Sequence, residues 1–361
     1  MKKIVVSKNE AGQKLLKLLA KYLNAAPQSF LHKMLRKKNI TLNGKKADGS
    51  ELLRETDEVC LFLSDDTILS FQGKKTEGTT VVEQKNGAKR TKEVSEIRVV
   101  YEDEDVLILN KPVGVLSQKA VLEDFSLNEW VIEYLLEKGQ LTETELQTFR
   151  PGVCNRLDRN TSGLITAGKS LAGLQTLSAL FKDRTVHKDY LCIVCGQVKN
   201  GSRLKGYLEK DARTNKVTVE KIKRSEEGTY IETEYTPVKT NGRYTLLRVR
   251  LITGKTHQIR AHLASVGHPL LGDTKYGSMT ENKMLREKFG LKNQLLHATY
   301  LEFPQELSDC KALSGKKFYA PVPKLFERIA KELGVFDNDK RKEKPWENGI
   351  PEACEVPRLK N

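Results

Sequence analysis

The 361-residue chain lacks any apolar run near the roughly 20 residues needed to span a bilayer. Its first apolar stretch, Ile4-Val5-Val6, is too short for the core of a signal peptide. The hydrophobic fraction is 38% and the mean hydropathy −0.50. These features set the expectation of a soluble, cytoplasmic protein with no membrane partner. Paired metal ligands are also missing. The six cysteines are scattered, and Cys192 and Cys195 sit in the apolar run LCIVCG. On a strand, residues three apart face opposite sides, which is poor geometry for chelation. No second close pair of Cys or His completes a zinc set. His257, His262 and His268 lack the carboxylate spacing of a metal helix. The expectation is buried, reduced thiols and no metal. No internal repeat is present.

What the chain has in excess is positive charge. The net charge is +15 and the isoelectric point about 9.3. Such a balance favours a polyanionic partner. Its placement is uneven: residues 1–60 hold 13 Lys/Arg against 6 Asp/Glu. Within that segment, Leu15, Leu16, Leu19 and Leu23 keep a helical period. Gln28 to Lys38 reads as a second helix, with Phe30, Leu31, Met34 and Leu35 as its apolar stripe. Lys33, Arg36, Lys37 and Lys38 crowd its exposed side and end. Ile40 to Lys45 reads as a strand entering an Asn-Gly turn. Together these form a candidate basic face for phosphates. The order helix, basic helix, I-x-L-N-G-K and a strand near Glu58 to Leu63 resembles the small RNA-binding domain named after ribosomal protein S-four.

Four segments are expected: this α/β unit at 1–64, a polar linker or insertion at 65–96, a large domain at 97–335 and a polar, disordered tail at 336–361. In the large domain, Val106 to Leu109 reads as a buried strand. Leu127, Trp130, Val131, Tyr134 and Leu135 mark an amphipathic helix. Tyr244 to Leu251 alternates as a one-sided strand. Strands outnumber helices without regular interleaving, which argues for an α+β fold with a mixed, mainly antiparallel sheet.

Residues 155–170, NRLDRNTSGLITAGKS, carry two competing signatures. Gly163 to Ser170 spells the P-loop pattern G-x-x-x-x-G-K-[ST]. A phosphate-wrapping loop needs small, conformationally free residues after a buried strand. Here the variable positions are Leu164, Ile165, Thr166 and Ala167, which favour a strand. The preceding NRLDRNTS is polar, and no downstream apolar strand ends in a suitable Asp. The reading is a strand, a turn at Gly168-Lys169-Ser170 and a helix from Leu171 to Phe181, with no nucleotide cofactor.

In the first half, Asp158 stands between Arg156 and Arg159. A charged carboxylate in a basic RNA groove works against affinity and invites a catalytic explanation. A structural Asp–Arg pair fixing a turn explains the same letters.

The distant blocks bear on that choice. NRLDRNTSG resembles the active-site motif of the RluA-type pseudouridine synthases, with Asn155 where the family usually has His. Asn110-Lys111-Pro112-Val113-Gly114 resembles its N-K-P-x-G segment, and Arg184 to Tyr190 its basic stretch into K-x-Y. Thr253 to Arg260 resembles T-G-R-T-H-Q-I-R, followed by Gly267-His268-Pro269 and Gly272-Asp273. Leu296-His297-Ala298 and Ala320-Pro321-Val322-Pro323 match late in the domain. Lys255 replaces an Arg and loses its planar fork. The leading basic unit fits the RluC/RluD-like branch.

The resemblance implies a monomeric isomerase that converts uridine to pseudouridine in RNA, with large-subunit ribosomal RNA as the expected target. It makes Asp158 the catalytic carboxylate, reached by base flipping. It pairs Arg260 with Asp158 and stacks Tyr190 on the target base. Arg156 fills the vacated space, and Lys255 and His257 contact RNA. Arg260 is expected on a helix whose buried stripe is Ile259, Leu263 and Val266. The alternative is a non-catalytic RNA-binding or ribosome-assembly factor.

Overall fold

The computed structural model describes residues 1–72, 92–121, 123–210, 217–223, 225–226 and 228–336. The expected tail beyond 336 and the middle of the 65–96 segment lie outside them.

The N-terminal unit contains β1 (Lys2–Val5), α1 (Leu15–Tyr22), α2 (Gln28–Arg36), β2 (Ile40–Leu42), β3 (Lys45–Lys46) and β4 (Glu58–Leu61). The strands form a four-stranded sheet in the order β1-β4-β2-β3. Asn43 and Gly44 take φ of 49° and 72°, the left-handed pair that a two-residue hairpin turn requires. The core joins Leu15, Leu18 and Leu19 of α1 with Leu31 and Leu35 of α2 and with Ile40, Val59 and Leu61 of the sheet. The opposite side of α2 leaves Lys33 and Arg36 exposed, and Lys37 and Lys38 follow them, also exposed.

Two features differ from the sequence reading. Strand β1 pairs with β4, so Lys3 and Ile4 belong to a sheet. Asp65 to Glu96 is not wholly a linker, because helix α3 (Asp65–Phe71) extends the N-terminal unit. The Ser64 side chain accepts from the Thr67 N–H, and Asp65 and Asp66 occupy the first turn, where negative charge is favoured. Ile68 is buried in the same core, and the Phe71 ring lies 4.5 Å from that of Phe30.

The larger unit begins with β5 (Arg98–Glu102), β6 (Val106–Lys111), α4 (Leu127–Glu137), β7 (Gly152–Val153), β8 (Ser162–Gly168), α5 (Leu171–Lys182) and β9 (His187–Cys195). It continues with β10 (Ser202–Lys210), β11 (Val217–Glu220), β12 (Thr229–Thr240), β13 (Tyr244–Leu251), α6 (Gln258–Ser265), α7 (Met279–Phe289), β14 (Leu296–Glu302), β15 (Lys317–Tyr319) and α8 (Lys324–Glu332). Its sheet has 11 strands, ordered β11-β10-β12-β13-β9-β14-β8-β6-β5, with β7 on β8 and β15 on β14. Among the named strands described, only β8 and β14 run parallel to each other. The fold is the expected mixed, mainly antiparallel α+β sheet.

The disputed octapeptide resolves as strand, turn and helix. Leu164 to Ala167 are buried in the centre of β8. Ser170 caps α5 by accepting from the Gly173 N–H at 3.0 Å. Lys169 donates to Glu102 and to the Asp103 carbonyl, both at 2.7 Å. A side chain at Gly163 would meet the Ala298 carbonyl oxygen 2.2 Å away, and one at Gly168 the Leu174 backbone nitrogen at 2.4 Å. Tight backbone approaches require both glycines. Among the described residues, no helix is long and apolar enough to cross a membrane.

Candidate active site

Asp158 lies on the connection from β7 to β8, and three neighbours fix that loop. Asn155 Oδ1 accepts from the Thr166 N–H at 2.7 Å and tethers the loop base to β8. The Ser117 hydroxyl donates to the Leu157 carbonyl at 2.8 Å and accepts from the Leu157 N–H at 3.0 Å. Arg159 Nε donates to the Gly114 carbonyl at 3.0 Å, and the Gly114 N–H donates back to the Arg159 carbonyl. Arg159 is therefore committed to the loop after β6, whereas Arg156 is exposed on the cleft rim.

Beneath this loop, Lys111 is fully buried. Its Nζ donates to the carbonyls of Val115, Pro112 and Arg159 at 2.8, 3.0 and 3.2 Å. Burial pushes its pKa down to about 7, with Asp158 opposing the shift. Three carbonyls match the three N–H bonds of the charged form, so this lysine ties the two loops together.

Arg260 reaches Asp158 from α6. The helix follows a bend in which His257 adopts a left-handed conformation, φ 57°. Gln258 builds that bend. Its Oε1 accepts from Thr253 Oγ1 and the Lys255 N–H, and its Nε2 donates to the Glu232 carbonyl and Thr233 Oγ1. Ile259 and Leu263 are buried as expected, but Val266 is 39% exposed. It lies beyond the last helical residue, Ser265, at the helix's C-cap, so the expected stripe stops one turn earlier.

Arg260 is buried as well, and carboxylates offset the cost. Nε and Nη2 donate to the two oxygens of Asp273 at 2.7 and 2.9 Å, while Nη1 donates to Asp158 Oδ2 at 3.0 Å. The guanidinium carbon is 5.3 Å from the centroid of the Tyr276 ring. Burial opposes its charge, but Asp273 and Asp158 outweigh burial and raise its pKa. Burial pushes Asp273 upward, yet Arg260 and the N–H groups of Lys275 and Tyr276 hold its pKa below the ordinary carboxylate value. Asp273 and Tyr276 received no role in the sequence reading. The signal for Asp273 was its place in the Gly272-Asp273 block.

Asp158 is thus held on one side. Oδ1 has no hydrogen-bond partner among the described residues, and the side chain is 26% exposed. His257 Nε2 stands 3.9 Å from Oδ2. Burial lowers the His257 pKa despite the attraction of Asp158, with Arg260 and Lys275 adding to the shift. Tyr190 comes from β9 and is 5% exposed. Burial, then the charge of Asp158, raises its pKa, so it stays a neutral phenol at physiological pH.

These groups line a cleft of about 870 Å³, within the size range of ligand sites. Asp158 is the one carboxylate among its lining residues, beside basic groups that include Lys119, Arg156, Lys182, Arg184 and Lys255. A lone fixed carboxylate in a basic cleft suits chemistry on a polyanion. Lys33, Arg36, Lys37 and Lys38 lie in the N-terminal unit and are not among the cleft-lining residues. Among the described residues, no group of three or more His, Cys, Asp or Glu could hold a metal ion.

Comparison with known proteins agrees with this chemistry. Residues 105–265 match the family described as RNA pseudouridylate synthase. Ribosomal large subunit pseudouridine synthase C of Escherichia coli is 30% identical over 318 residues, covering 84% of this chain and 88% of that protein. Ribosomal large subunit pseudouridine synthase D of Borreliella burgdorferi is 33% identical over 235 residues, covering 64% and 66%. The solved structure of Human RNA Pseudouridylate Synthase Domain Containing 4 shares the fold, with a TM-score of 0.52 and 20% identity over 65% of this chain and 92% of that one. The chain belongs to the RluA family of RNA pseudouridylate synthases, isomerases that convert uridine to pseudouridine, and it resembles the RluC/RluD branch.

Proposed function

We propose that this chain isomerises uridine in large-subunit ribosomal RNA, with Asp158 as the catalytic carboxylate. The observation that carries the reading is the asymmetry of Asp158: Oδ2 is anchored by Arg260 and Oδ1 is open to a basic cleft. The names of the relatives supply the RNA class.

The reaction breaks the bond from ribose to uracil N1, turns the base and joins ribose to its C5. The C5 hydrogen leaves and N1 gains one. Electrons balance within the nucleotide, so no oxidant or energy source is needed. A carboxylate that attacks the sugar or base, and one that abstracts a ribose proton, both need a charged oxygen facing the nucleotide. Arg260 orients that oxygen through a charge-assisted bond. Tyr190 offers a ring face to the uracil, and the target enters by flipping from its stack. Arg156, exposed at the rim, occupies the space left behind. Lys255 and His257, with Lys33, Arg36, Lys37 and Lys38 of the S-four-like unit, contact the RNA backbone. The protein works as a cytoplasmic monomer without a cofactor.

Two measurements test this. The purified chain releases the C5 hydrogen of uridine from large-subunit ribosomal RNA transcripts. Pseudouridine maps of total RNA lose one or more large-subunit positions when the gene is deleted. Losses confined to transfer RNA or small-subunit RNA overturn the assigned target. Binding without any release favours an assembly factor.

A further inference from the structure

Lys188 precedes Tyr190 by two residues on β9, so both side chains face the same side of the sheet. Both line the cleft. Lys188 is 9% exposed and has neither a hydrogen bond nor a carboxylate partner among the described residues. Its ammonium lies over the Phe181 ring, whose centroid is 5.6 Å from Nζ. Gly254 sits against Nζ with no side chain of its own, and a Cβ there would touch the ammonium at 4.0 Å. Arg184 carries another positive charge towards the same place.

Lys111 shows the alternative. That buried lysine spends its three N–H bonds on three backbone carbonyls. Lys188 keeps its own unspent at the cleft wall. A desolvated cation without a counter-charge is costly unless an anion arrives. Burial and the repulsion of Arg184 both lower its pKa, as expected for a cation awaiting a partner.

We infer that Lys188, supported by Arg184, binds a backbone phosphate of the RNA strand next to the flipped uridine. The inference rests on the proposed function and adds a subsite to it. The target nucleotide against Tyr190 places a flanking phosphate beside the residue two positions earlier on the strand. Phosphate completes the charge that the fold leaves open. Phe181 holds the lysine stem from behind, so little side-chain freedom is lost on binding.

The test uses the full chain and a short RNA containing the mapped target uridine. Lys188→Gln should raise KM about tenfold, the cost of one charge-assisted bond, with kcat little changed. The slope of log affinity against log salt should fall by about 0.7, one phosphate on a single strand. Lys188→Arg should restore most of the affinity. Replacing one flanking phosphate by a neutral methylphosphonate should cost the wild-type protein about tenfold. The same RNA should cost Lys188→Gln nothing further. Equal penalties for both proteins at every flanking linkage, or an unchanged salt slope, overturn the inference. If Lys188→Gln does not fold, Arg184→Gln at an exposed position and the wild-type linkage scan decide the matter. The salt slope and the linkage scan are read by binding, without turnover, so absence of C5-hydrogen release counts against the proposed function and not against the phosphate site.

Discussion

The large domain contains two Asp–Arg clusters close in sequence to its cleft, and they are built differently. Asp189, next to Tyr190 on β9, is 2% exposed in its side chain. Arg248 Nε and Nη2 donate to its Oδ2 at 2.9 and 2.8 Å, and Arg250 Nε lies 3.5 Å from Oδ1. Both oxygens are engaged, and the cluster links β9 to β13. Asp158 has one oxygen engaged and the other open. Its arginine is itself locked from behind by Asp273, which is fully buried. Residue types are the same in both places. What differs is whether a carboxylate oxygen is left over, and whether the arginine is held by something else. A structural pair exhausts its hydrogen bonds, whereas a reactive one keeps part of them unspent.

The sharpest test of this contrast exchanges each aspartate for asparagine. Asp158→Asn should cut C5-hydrogen release by at least about 10³-fold while the melting temperature changes little. Measurable turnover at the wild-type rate removes Asp158 from its role. Asp189→Asn should do the reverse, costing about 3–5 kcal/mol of stability because two arginines lose their counter-charge. Denaturant melts read that loss, and turnover should survive where the variant is folded.

Acid separates the ion pairs from the buried histidines. Burial holds the His297 pKa at about 4, below its ordinary 6.5. Between those values the unfolded chain gains a proton that the folded chain refuses. Stability is therefore full above pH 6.5 and falls as pH drops towards 4, by up to about 3 kcal/mol for His297. The depressed pKa of Asp273 keeps its pairing intact until the pH is below 3.8. Burial holds His262 at about 4 as well, so the acid loss between pH 6.5 and 4 should be reduced by His297→Gln, further reduced when His262 is also replaced, and left unchanged by changes to the arginine clusters.

Arg260→Lys keeps the charge but cannot hold Asp273 by two bonds and Asp158 by a third. Turnover should fall about 10- to 100-fold through misplacement of the carboxylate. Wild-type kcat would show that the fork is dispensable. The smallest effect is expected at Lys169, the lysine of the P-loop letters. Lys169→Ala should cost about 2 kcal/mol through loss of the Glu102 contact, with turnover unchanged and no nucleotide affinity to lose.

Sequence reading reached the strands, the leading helices and the sheet class because period and turn chemistry are local. Leu164 to Ala167 announced a strand by composition, and Asn43-Gly44 announced a hairpin. Strand β1 escaped because KKIV gains its structure from β4, which lies over 50 residues later. Helix α3 escaped because seven residues are too few to show a helical period, although Ser64 and the Asp65-Asp66 pair already carried the chemistry of a helix start. In the site, Asp158 was ambiguous by itself and gained a role through the distant block ending at Arg260. Asp273 and Tyr276 stayed without roles because their contribution is a contact with Arg260, visible only in three dimensions. Lys188 was legible as a letter in K-x-Y, but its lack of a counter-charge is a property of the folded cleft.

Gly163 and Gly168 extend this lesson to pattern searching. Each is dictated by a neighbouring backbone that leaves no room for a Cβ, one on β14 and one on α5. Four strand residues separate them, and a lysine and a capping serine follow for reasons of their own. Crowding fixes the two glycines, and an ion pair and a helix cap account for the lysine and the serine, so the nucleotide-binding letters have a structural reason at each defining position. A strand squeezed between a parallel neighbour and its own succeeding helix demands glycine at both ends, and that spacing is shared with phosphate-binding loops.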